Sequence, residues 1–191
     1  GFDNIVMGWT PDGKQVVFRS LRDHFSVANG RLYTVPREGG LPKALPMPVS
    51  GAGDLSPDGS KVVYSPLDRD FRTWKRYQGG WAQDLYTFDL KTYRTGPVSH
   101  SPRTERDPMW IGGRIYFASD RTGKLNLYEF DPANGKTRPL TEFKEWDVRW
   151  PSKANDGRIV YELDGELQII SVKLGSKPRP LRIQVPYDGV A

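Results

Sequence analysis

Between Tyr64 and Leu85 the chain sets four cations among aromatic rings: Arg69, Arg72, Lys75 and Arg76 interleave with Phe71, Trp74, Tyr77 and Trp81. Guanidinium groups offer paired, planar donors to carboxylates and phosphates, and the rings beside them offer flat apolar surface. The chemistry such a pattern suits is capture of a peptide or another ligand bearing carboxylates or phosphates. The candidate contacts are Arg69, Arg72, Trp74, Lys75, Arg76, Tyr77 and Trp81. The same composition also suits a loop that folds its rings onto the body of the protein and braces itself by cation–π contacts. Both readings stand at the level of sequence.

Other reactive residues are sparse. His24 and His100 have serines nearby, but no nucleophile-elbow pattern accompanies them, and locally bonded loop histidines are the plainer reading. Asp68 and Asp70 stand two apart, and Asp131 to Asn134 has a superficial likeness to a calcium loop. Neither carries the repeated carboxylates and terminal Glu that an EF-hand needs. Asp12, Asp58 and Asp156 each precede a glycine and read as turn formers. No catalytic residue, metal ligand or cofactor is expected within this chain.

The elements that must position the aromatic–cationic segment come from a repeat. Trp9-Thr10-Pro11-Asp12-Gly13 leads into Gln15-Val16-Val17-Phe18, and Leu55-Ser56-Pro57-Asp58-Gly59 leads into Lys61-Val62-Val63-Tyr64. Worn copies run from Trp110 to Phe117 and from Trp150 to Tyr161. The marker aromatics Phe18, Tyr64, Phe117 and Tyr161 are 46, 53 and 44 residues apart, a period that belongs to β-propeller blades. Each copy parses into four short strands, a to d, with strand a near Asn4 to Trp9, Ser50 to Leu55, Glu105 to Trp110 and Trp146 to Trp150, and strand c of the fourth copy near Glu166 to Ser171. The fold class expected is all-β, a β-propeller fragment with about four blades of four antiparallel strands. The blades fall at about 1–46, 47–99, 100–141 and 142–186 of one partial propeller over 1–191.

Pro-Asp-Gly supplies a fixed φ and then a residue tolerant of positive φ, which makes a tight a–b corner. An up-and-down meander puts the a–b and c–d turns on one side and the b–c and d–a loops on the other. The aromatic–cationic segment is a b–c loop, longer than its three counterparts. Trp9, Phe18, Tyr33, Tyr64, Tyr86, Phe117, Tyr128 and Tyr161 are expected to pack between blades.

Composition agrees. A hydrophobic fraction of 37% with 12% aromatic residues is too rich for disorder, while 20 Gly and 16 Pro among short apolar runs suit many turns. No apolar window is long enough for a membrane helix, so no membrane partner is expected, and the first residues lack the pattern of a signal peptide. The absence of cysteine excludes disulfides, thiolate zinc sites and cysteine nucleophiles; it fits cytoplasm or periplasm alike and leaves the localisation unknown. The net charge of +5 comes from 28 basic and 23 acidic residues, a mixed surface with no basic run. Nucleic acid is therefore disfavoured as a partner.

The string from Phe71 to Leu85, with Asp107-Pro108-Met109-Trp110 and Asp147-Val148-Arg149-Trp150-Pro151, resembles the amino-terminal, six-bladed propeller of tricorn-type serine proteases. Ser56-Pro57-Asp58-Gly59 and Ser119-Asp120-Arg121-Thr122-Gly123 are shared more loosely with TolB-like propellers. The resemblance covers essentially the whole chain. It implies the last four blades of that ring, in a peptidase whose catalytic residues lie beyond the carboxyl end of this segment. The implied role is non-catalytic: guiding peptide substrate or product, supporting assembly with the remaining domains of the parent peptidase, and pairing with a second copy through open blade edges. The alternative is a TolB-like or WD-repeat-like protein-interaction module unrelated to proteolysis.

Overall fold

A computed structural model describes residues 3–23, 30–67 and 77–184. Among these residues sixteen strands form four separate antiparallel sheets, each a simple meander in chain order. Blade one holds β1 (Asn4–Trp9), β2 (Gln15–Ser20), β3 (Arg31–Pro36) and β4 (Lys43–Ala44). Blade two holds β5 (Gly53–Leu55), β6 (Lys61–Tyr64), β7 (Tyr86–Asp89) and β8 (Thr95–Pro97). Blade three holds β9 (Glu105–Ile111), β10 (Arg114–Ser119), β11 (Asn126–Asp131) and β12 (Lys136–Pro139). Blade four holds β13 (Arg149–Lys153), β14 (Arg158–Leu163), β15 (Glu166–Ser171) and β16 (Arg179–Pro180). The molecule is thus an all-β propeller array of four blades.

The a–b corners form as their residues dictate. In blade two the Ser56 hydroxyl donates to Asp58 Oδ1 at 2.6 Å, and the Ser60 amide donates to the same oxygen at 3.1 Å. Gly59 takes φ of 70° to complete the turn. These hydrogen bonds to the charged form, the one from Ser56 foremost, hold the Asp58 carboxyl down at about 2. Thr10, Asp12 and Gly13 repeat the arrangement in blade one, with Thr10 Oγ1 2.6 Å from Asp12 Oδ1.

Sheets alternate sides every residue, so each blade has a leading face toward the preceding blade and a trailing face toward the next. Three apolar clusters fill the three junctions. Val17, Leu32 and Met47 of blade one meet Leu55, Val62, Tyr64 and Phe88 of blade two. Val63, Leu85 and Val98 of blade two meet Trp110, Ile115, Phe117 and Tyr128 of blade three. Met109, Tyr116 and Leu127 of blade three meet Val148, Ile159, Tyr161 and Ile170 of blade four. Each such side chain contributes about 1.5–3 kcal/mol of burial free energy. Among the described residues no buried cluster joins blade four to blade one.

Tyr64, Phe117, Tyr128 and Tyr161 lie in the junction clusters and Tyr86 packs against one, whereas Phe18 and Tyr33 are buried but belong to none of the three. Trp9 is the correction. It occupies the position held by Leu55 and Trp110 in the next two blades, but it is 54% exposed and belongs to none of the three buried clusters among the described residues. A second correction concerns blade four, whose first strand was expected at Trp146 to Trp150. The strand, β13, runs from Arg149 to Lys153 instead, with Trp150 in a bulge at φ 45°.

Candidate functional site

The first strands of the four blades, β1, β5, β9 and β13, stand side by side and line a cavity of about 1000 Å³. Its wall draws on all four blades, from Trp9 and Thr10 through Asp54 and Asp107 to Trp150 and Lys153. Two wall residues are held in left-handed backbone: Asp107 at φ 53° and Trp150 at φ 45°. Each precedes a proline and sits in a bulge of its strand. A non-glycine residue held there costs of order 1–3 kcal/mol, and such strain collects where side chains must be aimed at a ligand. Trp150, 68% exposed, is thereby turned into the cavity wall rather than into a junction. Asp107 is paired with Arg106 at 2.8 Å.

One charged cluster ties the wall together. Lys153 Nζ lies 2.5 Å from Asp54 Oδ2 and donates to the Trp110 carbonyl at 2.8 Å, while the Trp110 amide donates to Asp54 Oδ2 at 2.6 Å. Blade four thus reaches over blade three to blade two. Burial pushes the Asp54 carboxyl above the usual carboxylate range, and the ammonium of Lys153 offsets part of that. The sequence reading missed this pair. No local signal marks it, because only the pairing of Lys153 with Ile159, equivalent to Trp110 with Ile115 and Leu55 with Val62, puts a cation where the repeat has an apolar residue.

A second arrangement recurs at the loop-bearing side. Arg121 lies over the Phe117 and Tyr128 rings at 5.4 and 4.5 Å and donates to Glu105 at 2.6 Å. Glu105 also accepts from the Ser99 hydroxyl, which comes from the end of blade two. Burial pushes the Glu105 carboxyl up, and the bonds from Ser99 and Arg121 work against that shift. In blade one, Arg22 covers Phe18 and Tyr33 at 5.3 and 4.9 Å in the same way and donates to Asn4 at 3.2 Å. In both blades the guanidinium is therefore a lid on a pair of rings, placed by the Ser-x-Arg spacing after strand b.

Of the residues expected to contact a ligand, Arg69, Arg72, Trp74, Lys75 and Arg76 lie outside the described residues, as does His24. Tyr77 is partly buried and Trp81 is 48% exposed. The Tyr77 ring folds over Gly79, where a Cβ would stand 2.5 Å from the Tyr77 Oη. The cavity wall includes Gln83, at the base of this loop, but neither Tyr77 nor Trp81. Gln83 and Ser65 both donate to the Leu67 carbonyl and close that base. Among the described residues no group of three or more His, Asp or Glu side chains is arranged to hold a metal ion.

Comparison with known proteins places the chain. The TolB protein of Acinetobacter baumannii superposes with a TM-score of 0.69 at 20% identity, over 94% of this chain and 43% of that one. The tricorn protease crystal structure gives 0.53 at 18% identity, over 94% of this chain and 23% of that one. At those identities the likeness is one of fold. In sequence, tricorn protease homolog 1 of Streptomyces coelicolor is 30% identical over 190 residues, and the tricorn protease homolog of Saccharolobus solfataricus is 27% identical over 191. The matches cover 94% and 96% of this chain but 17% of either relative. The family model for the tricorn protease N-terminal beta propeller domain matches residues 1–176, so the chain belongs to that propeller family.

Proposed function

We propose that this chain is a non-catalytic propeller segment of a tricorn-like serine peptidase, and that it guides peptide substrate or product along its axial cavity while supporting assembly with the parent's other domains. The observation that carries the reading is the cavity of about 1000 Å³, built by all four first strands and presenting Trp150 from a strained bulge. A wall of tryptophan faces, prolines and backbone groups suits extended peptides of mixed sequence. It offers stacking and main-chain hydrogen bonds without a side-chain code. The paired Asp54 and Lys153 leave little net charge at that point of the wall, which fits a passage better than a trap.

The loop from residue 66 to 83 supports a second reading, a module that docks a protein partner through Arg72, Trp74 and Arg76. One experiment separates the two. Fluorescently labelled mixed-sequence peptides are titrated with the chain and followed by anisotropy. Passage through the cavity predicts binding that weakens severalfold in Trp150→Ala and is unchanged when Arg72, Trp74 and Arg76 are all replaced by Ala. The reverse pattern supports the docking module. Serine-dependent peptide cleavage by the chain alone would overturn both.

A further inference from the structure

Blades one and three share an arrangement that blade two completes only in part. In each, an aromatic residue of strand b faces a tyrosine of strand c, Phe18 with Tyr33 and Phe117 with Tyr128, and an arginine covers both rings. A serine two residues earlier holds it there: Arg22 Nε donates to Ser20 Oγ at 3.1 Å, and Arg121 Nε to Ser119 Oγ at 3.2 Å. In blade two Tyr64 faces Tyr86 with ring centroids 6.2 Å apart, and Ser65 supplies the serine, but Leu67 stands where the arginine belongs. The Ser65 hydroxyl donates to the Leu67 carbonyl instead. Among the described residues no cation covers this pair, and Tyr86 is half-buried where Tyr33 and Tyr128 are 3% exposed. The uncovered pair is flanked by acid. Asp84, two residues before Tyr86, makes no side-chain hydrogen bond or ion pair among the described residues; neighbouring protein pushes its carboxyl up, with no donor or cation to pull it back. Glu105 gives Oε1 to Ser99 and Arg121, while its Oε2 is buried without a hydrogen-bond partner. Burial and, behind it, the Asp84 and Glu105 carboxylates push the Tyr86 hydroxyl up, so both acids act at this ring pair.

We propose that the Tyr64–Tyr86 pair, with Asp84 and Glu105 Oε2 beside it, is a binding site for the guanidinium group of an arginine side chain in a peptide segment. The occupant follows from the two completed copies, in which a guanidinium lies over the rings and donates to the first strand of a blade, Arg22 to Asn4 and Arg121 to Glu105. A guanidinium is planar, stacks on aromatic faces and carries five donors in a fixed fork, so one group can cover both rings and reach two carboxylates. Charge points the same way. Arg121 already matches Glu105, which leaves Asp84 as one unmatched negative charge at the site, on a chain whose net charge is +5. Filling the site would also give the orphaned Glu105 oxygen a donor, relieving the cost of a buried acceptor left unpaired. None of these four residues lines the axial cavity, so the site is separate from the passage proposed there.

The test is an NMR titration with a blocked glycine-arginine-glycine peptide, read at the ring signals of Tyr64 and Tyr86. Saturable shifts of both rings are expected, weaker with the lysine counterpart and absent with the citrulline counterpart, which keeps the shape of arginine without its charge. Asp84→Asn is expected to weaken binding severalfold. Leu67→Arg completes the Ser-x-Arg spacing, so it should fill the site from within and abolish binding while the spectrum stays that of a folded chain. No saturable shift in the wild type overturns the proposal, as does a citrulline peptide that binds equally well or full binding by Leu67→Arg. Binding that appears only after Arg69, Arg72, Lys75 and Arg76 are all replaced by Gln overturns it too, because the chain would then supply its own occupant.

Discussion

Arg121 shows how much one side chain carries when it serves two chemistries. Its guanidinium covers two buried rings and neutralises Glu105, whose side chain is 1% exposed. Replacing it by Ala leaves a carboxylate buried without its cation, and the expected loss is about 3–5 kcal/mol in urea unfolding. The loss has a pH signature. A carboxyl whose folded pKa is raised holds its proton more tightly when folded, so folding is favoured at acid pH and weakened as pH rises through the folded value. Removing Arg121 raises that value further. The destabilisation of Arg121→Ala is therefore larger at neutral than at acid pH, and adding Glu105→Gln restores part of it at neutral pH only. A deficit independent of pH would mean that lost packing on Phe117 and Tyr128, rather than the stranded charge, dominates.

At the scale of elements, each junction depends on how closely two sheets approach. Gly53 in β5 marks the tightest point between blades one and two: a Cβ there would sit 2.7 Å from Leu32 Cδ1 and 3.1 Å from the Val63 carbonyl oxygen. Gly53→Ala is expected to cost about 1–3 kcal/mol through overpacking. Leu32→Ala alone is expected to cost about 2–5 kcal/mol, because Leu32 is fully buried. The double variant should fall short of the sum, since removing the leucine methyl clears room for the added one. Additive costs would show that the backbone, not Leu32, limits the approach. The strands themselves were legible in the sequence because Pro-Asp-Gly turns and alternating apolar residues are local signals; β1 and β15 fall where the pattern puts them. Blade four's first strand was not. Trp150-Pro151 copies the look of Trp9-Thr10-Pro11, but a left-handed Trp150 lets the strand continue, and a bulge shifts register in a way no local composition encodes. The Asp54–Lys153 pair was hidden for the same reason, since it appears only once Lys153 is aligned by pairing rather than by resemblance.

For the whole molecule, the repeat predicts a gradient of stability rather than a single cooperative block. Each blade draws its stability from its own sheet plus the junctions on its two faces, as in other nearest-neighbour repeat architectures. Among the described residues, buried apolar clusters lie on both faces of blades two and three and on one face each of blades one and four. Burial follows the same order: β10 and β11 are nearly fully buried, whereas β1 and β13 are mostly exposed or half-buried. Amide hydrogen exchange should therefore be slowest in β6, β10 and β11 and fastest in β1 and in the final strands β15 and β16. The Asp54–Lys153 tie gives this gradient a handle, because it links blade four to blade two across blade three. Lys153→Met removes the ammonium and leaves Asp54 buried. Exchange in β13 to β16 is expected to accelerate, while that of β2 and β3 in blade one stays as it was. Equal acceleration across all four blades would show that the array unfolds as one unit.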